Sequence, residues 1–160
     1  SNLVMDATPN MVLIVDRDMH IRECNKRMLD KLGISREEAL ERYIFEFIEV
    51  EDIEQVLEDK KSILRKRIQL ETLDVIAKET IVYIESVDSA LVVYQDVSKE
   101  EKAREQHMNL KMETIDIAQK VIDKQMMVAQ EIAGLLGETT AETKVTLSKL
   151  RDSILDDGED

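Results

Sequence analysis

A chain of 160 residues has room for one domain of about 100 residues and an extension of roughly 50 to 60. Its 35 acidic residues against 22 Lys and Arg give a net charge of -13, which argues against nucleic acid or an anionic membrane surface as partner. A single cysteine, Cys24, excludes an intrachain disulfide and cannot alone hold a metal or an iron-sulfur cluster, so a reducing cytoplasm is the expected setting. No apolar run approaches the roughly 20 residues that span a bilayer, and the start does not read as a signal peptide. The opening Ser1-Asn2, without an initiating Met, is what a fragment of a longer protein would show.

Met11-Val-Leu-Ile-Val-Asp16 is an apolar run stopped by Arg17-Asp18, and Ile21 to Cys24 resumes it, so the pair reads as a hairpin. Asn25 then caps a helix carrying Met28, Leu29 and Leu32 on one face and closed by Gly33. Ser35-Arg-Glu-Glu38 forms a capping box before a short helix ending near Leu40. From Glu51-Asp52 a third helix is expected to run to about Arg65, with Ile53, Val56, Leu57, Ile63 and Leu64 at spacings of three and four. The period then changes to two. Ile68, Leu70 and Thr72, then Val82 and Ile84, then Leu91 and Val93 alternate with their neighbours, predicting three more strands. Two strands, short helices and three strands make an α+β domain with an antiparallel sheet, over residues 1 to 97.

One Pro and four Gly leave no flexible linker after the sheet, so the last strand must pass almost directly into a helix. Ile115, Ala118, Ile122, Ala129, Ile132 and Leu136 form a seam at alternating spacings of three and four, broken by Lys111 and Gln125, with a second stripe of Leu110, Ile117, Val121, Val128 and Leu135 beside it. Gly137 is read as a stop and Thr139-Thr-Ala-Glu142 as the capping box of a second helix to about Leu155. Residues 98 to 155 would thus form a helical hairpin, two of which close a four-helix bundle in a homodimer, with the seam as dimer interface. The acidic residues 156 to 160 are expected to fray into a disordered tail.

No residue presents itself as catalytic, and no metal site is expected. His107 lies in the long helix, where a sensor kinase keeps its phosphoacceptor, but Met108-Asn-Leu follows it, without the expected acidic residue or Pro. His20 sits alone in a turn, and Cys24 falls on a strand facing the core, as a buried, unreactive thiol would. Phosphate loops and nucleophile elbows are absent from the sequence.

Four segments carry a family resemblance, the first three being Asp6 to Asp16, then Ile21 with Asn25 and Leu32-Gly33-Ile-Ser35, then Glu37-Glu-Ala-Leu40. The fourth is Ala90 to Ser98, a strand ending in Asp96-Val-Ser98 and running into charged helix. In order and spacing, residues 6 to 98 resemble PAS sensory domains, which hand a signal from sheet to following helix through Asp-x-Ser/Thr. The resemblance implies a PAS fold, a five-stranded antiparallel sheet with short helices on one face. Met19 stands where the first hairpin of the family usually has Gly, and Glu41-Arg42 displaces a second Gly. The 52 to 65 segment lacks the His of haem-binding members, and the flavin-adduct motif Asn-Cys-Arg-Phe is missing, so no cofactor is expected in this chain.

What the resemblance leaves is a small, mostly apolar pocket for an unknown apolar ligand, lined by Met28, Leu32, Phe47, Val56, Ile63, Leu70, Val82 and Val93, in a colourless protein. It makes Asp96 and Ser98 the signal exit, either oxygen able to cap helix amides. Val121 to Leu150 also resembles the end of clostridial-type iron-only hydrogenases that carry a PAS domain. That implies a sensory and dimerisation module of a redox protein whose iron-sulfur clusters lie in other domains. The input domain of a histidine kinase or transcription regulator, and a structural dimerisation domain without ligand, are the alternatives.

Overall fold

The computed structural model describes residues 3–158. A single turn of helix, α1 (Leu3–Asp6), precedes the hairpin of β1 (Met11–Asp16) and β2 (Ile21–Cys24). Asp16 builds the turn, its Oδ1 accepting from the amides of Asp18 (2.9 Å) and His20 (3.0 Å). Met19, at the hairpin position where the resemblance leads to the expectation of Gly, takes the left-handed conformation (φ 67°). Its side chain is buried, and that burial offsets a backbone cost of about 1 kcal/mol.

Asn25 fixes the next junction with all of its side-chain hydrogen-bonding capacity. Oδ1 accepts from the Val12 amide of β1 (3.0 Å) and the Met28 amide (3.1 Å), the latter capping α2 (Lys26–Leu32). Nδ2 donates to the carbonyls of Met5 (2.9 Å) and Asn10 (2.8 Å), so one side chain ties α1, β1 and α2 together. Gly33 closes α2 with φ 71°, donating to the Leu29 carbonyl. Ser35 Oγ caps α3 (Arg36–Leu40) by accepting from the Glu38 amide.

Helix α4 (Glu51–Asp59) is shorter than the expected 52 to 65, because Lys60 adopts φ 60° and stops it. Ile63 and Leu64 belong instead to β3 (Ile63–Leu70). A three-and-four spacing over five residues does not separate a helix end from the start of a strand. The strands β4 (Val75–Ile84) and β5 (Ser89–Asp96) complete a five-stranded antiparallel sheet of order β2-β1-β5-β4-β3. Each β4 and β5 joint is a 3-10 turn closed by an aspartate in the left-handed region, Asp74 and Asp88. A forked ion pair from Arg17 to Asp88 (2.8 Å for each bond) ties the β1–β2 turn to the β4–β5 turn.

One sheet face is the core. Leu13, Val15, Val75, Ala77, Ile81, Ala90, Val92 and Tyr94 point into it and meet Met28, Ile44, Ile53 and Val56 from the helical layer. Val82 and Val93, expected in the pocket, lie on the opposite face, since Ile81 pairs with Val92 and Val82 with Leu91. A strand that is apolar at successive positions gives no phase from composition, and the partners decided it.

Residues 98 onward form one continuous helix, α5 (Ser98–Gly158), of 61 residues, not a hairpin. Gly137 does not take a positive φ, a conformation that Gly33 alone among the described glycines adopts. The threonines read as caps act as interior helix residues: Thr140 Oγ donates to the Leu136 carbonyl (2.7 Å) and Thr143 Oγ to the Thr139 carbonyl (2.9 Å). Thr and Glu at these spacings fit a helix start and a helix interior equally, and a glycine inside a helix costs only about 1 kcal/mol. The expected frayed tail is likewise helical through Gly158, and residues 159 and 160 lie outside the described residues. The chain divides into two compact units after Glu105.

Candidate functional site

A cavity of about 660 Å³ lies between the inner face of β3 and β4 and the segment from Phe45 to Asp52. Phe45, Phe47, Ile48, Ile68 and Leu70 supply its apolar wall, and the Thr72 hydroxyl donates to the Phe47 carbonyl to hold that segment against the end of β3. Apart from Gln69, the rest of the lining is charged: Glu46, Glu49, Glu51, Asp52, Glu71 and Glu79 against one lining cation, Lys66. A mostly apolar pocket was expected, and the structure corrects this.

The strand alternation explains how an acid reached the floor. Val75, Ala77, Glu79 and Ile81 are buried on one phase of β4, so Glu79 takes an apolar position and is 2% exposed. Antiparallel pairing sets Lys66 and Tyr94 directly opposite it on either side. Burial, and then the Asp52 carboxylate, push the Glu79 carboxyl up to about 8, so it holds its proton at neutral pH. Asp52 is in turn held below its usual range by the hydrogen bond from Glu79 and by Lys66, whose ammonium lies 3.0 Å from Asp52 Oδ1. Burial and the neighbouring Glu79 raise the Tyr94 phenol. Glu79 Oε1 and Tyr94 Oη are enclosed and make no hydrogen bond of ordinary geometry, yet the two groups face each other closely enough for the phenol to favour the Glu79 carboxylate in part.

Of the eight residues expected in the pocket, Phe47 and Leu70 line this cavity. Met28 and Val56 are buried in the core, with Leu32 and Ile63 packed half-buried against it. Asp52, Lys66 and Glu79 escaped the sequence reading. The signal was there in part: a lone Glu on the inward phase of Val75-x-Ala77-x-Glu79-x-Ile81.

The second site is the exit from the sheet. Asp96 Oδ1 accepts from the Ser98 amide (2.9 Å), capping the first turn of α5 as expected. Ser98 behaves otherwise than expected: its Oγ accepts from the Ile76 amide of β4 (2.9 Å), not from helix amides. The Val97 amide donates to the Ile76 carbonyl (2.8 Å), and Arg67 of β3 reaches Glu101 (3.3 Å). The first turn of α5 is therefore bolted to β4, three residues from Glu79.

Ile115, Ala118, Ile122, Ala129, Ile132 and Leu136 are exposed on α5, Ile122 at 53% and Leu136 at 63%. His107 is exposed on the same helix, and His20 packs against the Tyr43 ring at 5.3 Å. Cys24 is buried, with its thiol pushed up to about 12 by burial and by the charge of Glu23. Among the described residues no group of three or more His, Cys, Asp or Glu could hold a metal ion, and no helix is long and apolar enough to cross a membrane.

The family model described as PAS fold matches residues 2–96, more than half of the chain. The chain belongs to the PAS family. Solved PAS domains share its fold. That of nitrogen regulation protein NR(II) from Vibrio parahaemolyticus is 17% identical, with a TM-score of 0.50 over 58% of this chain and 94% of the other. The PAS domain of an HTR-like protein from Haloarcula marismortui is 23% identical (TM-score 0.44, 58% and 85%), and that of Bordetella pertussis BvgS 15% (0.46, 71% and 91%). No curated protein matches the chain.

Proposed function

We propose that this chain is a sensory and dimerisation module of a larger cytoplasmic protein, in which a change at the PAS cavity is passed through β4 to the exit helix α5. The observation that carries this reading is the Ser98–Ile76 tie, which joins the output helix to the strand that bears Glu79. A change in the charge or contacts of Glu79 strains the same strand whose Ile76 amide and carbonyl hold the helix start. A few kcal/mol of differential interaction suffice to shift two helix packings.

Dimerisation through α5 is supported by its seam, which keeps heptad spacing from Ile115 to Leu136 except at Gln125 and is exposed among the described residues. The continuous helix favours a coiled coil over the four-helix bundle of two hairpins. Light scattering of the chain at high micromolar concentration should give the mass of a dimer, and Ile122→Asp with Ile132→Asp the mass of a monomer. A monomeric parent chain at that concentration contradicts the reading.

The parent protein is proposed to be a redox protein of the iron-only hydrogenase type, supported by the resemblance of residues 121 to 150 alone. Input to a histidine kinase or transcription regulator is the alternative. Cysteine clusters upstream in the full-length gene product favour the first, and a kinase or DNA-binding segment downstream the second.

A further inference from the structure

The cavity pairs an acidic lining with an unsatisfied acid on its floor, and this combination selects a ligand. Glu79 is 2% exposed and lines the cavity, and its enclosed Oε1 makes no hydrogen bond of ordinary geometry, although the Tyr94 hydroxyl faces the same carboxyl from β5. An enclosed oxygen of this kind forfeits about 1 to 3 kcal/mol until a donor reaches it. The Asp52 carboxyl lies beside it, and the two are held together at present by one shared proton, the smallest cation that fits. The other groups facing Glu79 are Lys66 of β3, which is half exposed and already paired to Asp52, and Tyr94 of β5. Around the rim stand Glu49, Glu51 and Glu71, together with Glu46, which Arg42 meets at 3.8 Å, and beside them are the Phe45 ring and the Phe47 ring, one face of which carries the Arg42 guanidinium 5.7 Å from its centroid. The field in the cavity is thus negative, which repels carboxylates and phosphates, and its wall is partly aromatic. A metal ion is a poorer fit, since Asp52 and Glu79 provide only two adjoining carboxylates and no grouping of three ligands exists among the described residues.

We propose that this cavity binds a small organic cation, an ammonium group with an apolar body, whose charge sits between Asp52 and Glu79 and whose body lies against Phe45 and Phe47. On binding, the ammonium takes the place of the shared proton. Glu79 gives that proton to solvent and becomes a carboxylate, so the pair of acids changes from one negative charge and a proton to two negative charges around one cation. Because Glu79 lies on β4, this is also a charge change on the strand that holds the exit helix. The inference rests on the sensory reading for its consequence, though not for its chemistry.

The test uses the 160-residue chain with phenethylammonium as probe, and 2-phenylethanol and 3-phenylpropionate as its neutral and anionic counterparts. Calorimetry at pH 7 in two buffers of different ionisation heat should show binding of the ammonium with release of close to one proton. Affinity should rise as pH increases from 6 to 8, by up to about tenfold per unit, and level off above. Glu79→Gln, which keeps the shape of the protonated acid, should weaken binding at least about tenfold and abolish its pH dependence. Lys66→Gln, by removing the competing internal cation, should tighten it. Amide shifts in the unaltered chain, read by NMR, should centre on residues 45–52, 66–72 and 79, and this serves even if Glu79→Gln does not fold.

Binding of the alcohol as tight as that of the ammonium, unaltered affinity in Glu79→Gln, or the absence of ammonium binding overturns the proposal. Ammonium binding at these residues without any change in hydrogen exchange over 101–115 leaves the site standing and removes the sensory reading. Lack of binding, with the exit still coupled, does the reverse.

Discussion

Ser98→Ala isolates the coupling between sheet and output helix. The hydroxyl accepts from the Ile76 amide at 2.9 Å, and its removal leaves that partly buried N–H without a partner at a cost of about 1 to 2 kcal/mol. Two ties remain at the junction: the Val97 amide to the Ile76 carbonyl, and the Arg67–Glu101 ion pair, whose arginine is exposed and which contributes about 1 kcal/mol or less. The loss should therefore appear as local opening of the first turns of α5 and not as global unfolding. At about 1.4 kcal/mol per factor of ten, opening becomes roughly 5 to 30 times more frequent. Hydrogen exchange followed by mass spectrometry should show that acceleration in amides 101–115. Core amides at Leu13 and Val92 should change far less, and Ser98→Thr, which keeps the hydroxyl, should restore protection. Exchange over 101–115 that is unaltered in Ser98→Ala, or that accelerates equally in β1 and β5, would refute the argument that this bond controls the junction.

Glu79 should give the folded state a distinctive pH dependence. The folded chain keeps its proton up to about pH 8, while the unfolded chain loses it near 4.5. The folded state therefore binds more protons between those values, and stability falls as pH rises through this window, by at most about 1.4 kcal/mol per unit. Urea midpoints measured at pH 6 and 8 should differ more in the parent chain than in Glu79→Gln; equal differences would mean that Glu79 titrates normally. Gly33→Ala should lower stability by about 1 kcal/mol from backbone strain alone, because φ is 71° and an added Cβ meets nothing within 4 Å. An unshifted urea midpoint would contradict the left-handed cap. Cys24 should react with a disulfide reagent such as DTNB only after unfolding in urea, and rapid labelling of the native chain would show that its thiol is not enclosed.

Signals confined to a few neighbouring residues were legible in the sequence. Asn25, Gly33 and Ser35 act where their chemistry put them, since a cap needs only its own oxygen and the amide three residues on. The Asp96-Val-Ser98 exit came from the family resemblance, whereas the five strands could be read from alternation and spacing. What depended on partners could not. The inward phase of β4 and β5 was set by the Ile81–Val92 pairing, which placed Val82 and Val93 on the outer face and Glu79 on the cavity floor. Ser98 carries a hydroxyl that suits a helix cap, and only the approach of β4 made Ile76 its partner. At Gly137 the local code was degenerate: a glycine followed by Thr-Thr-Ala-Glu suits either a break or a helix interior, and the backbone continued as helix. The sequence by itself determined the capped helix starts at Asn25 and Ser35, because a cap is short-range hydrogen-bond chemistry. Which acid is buried, which strand face is inside and which bond holds the output helix are long-range contacts, and the tertiary structure alone decided them.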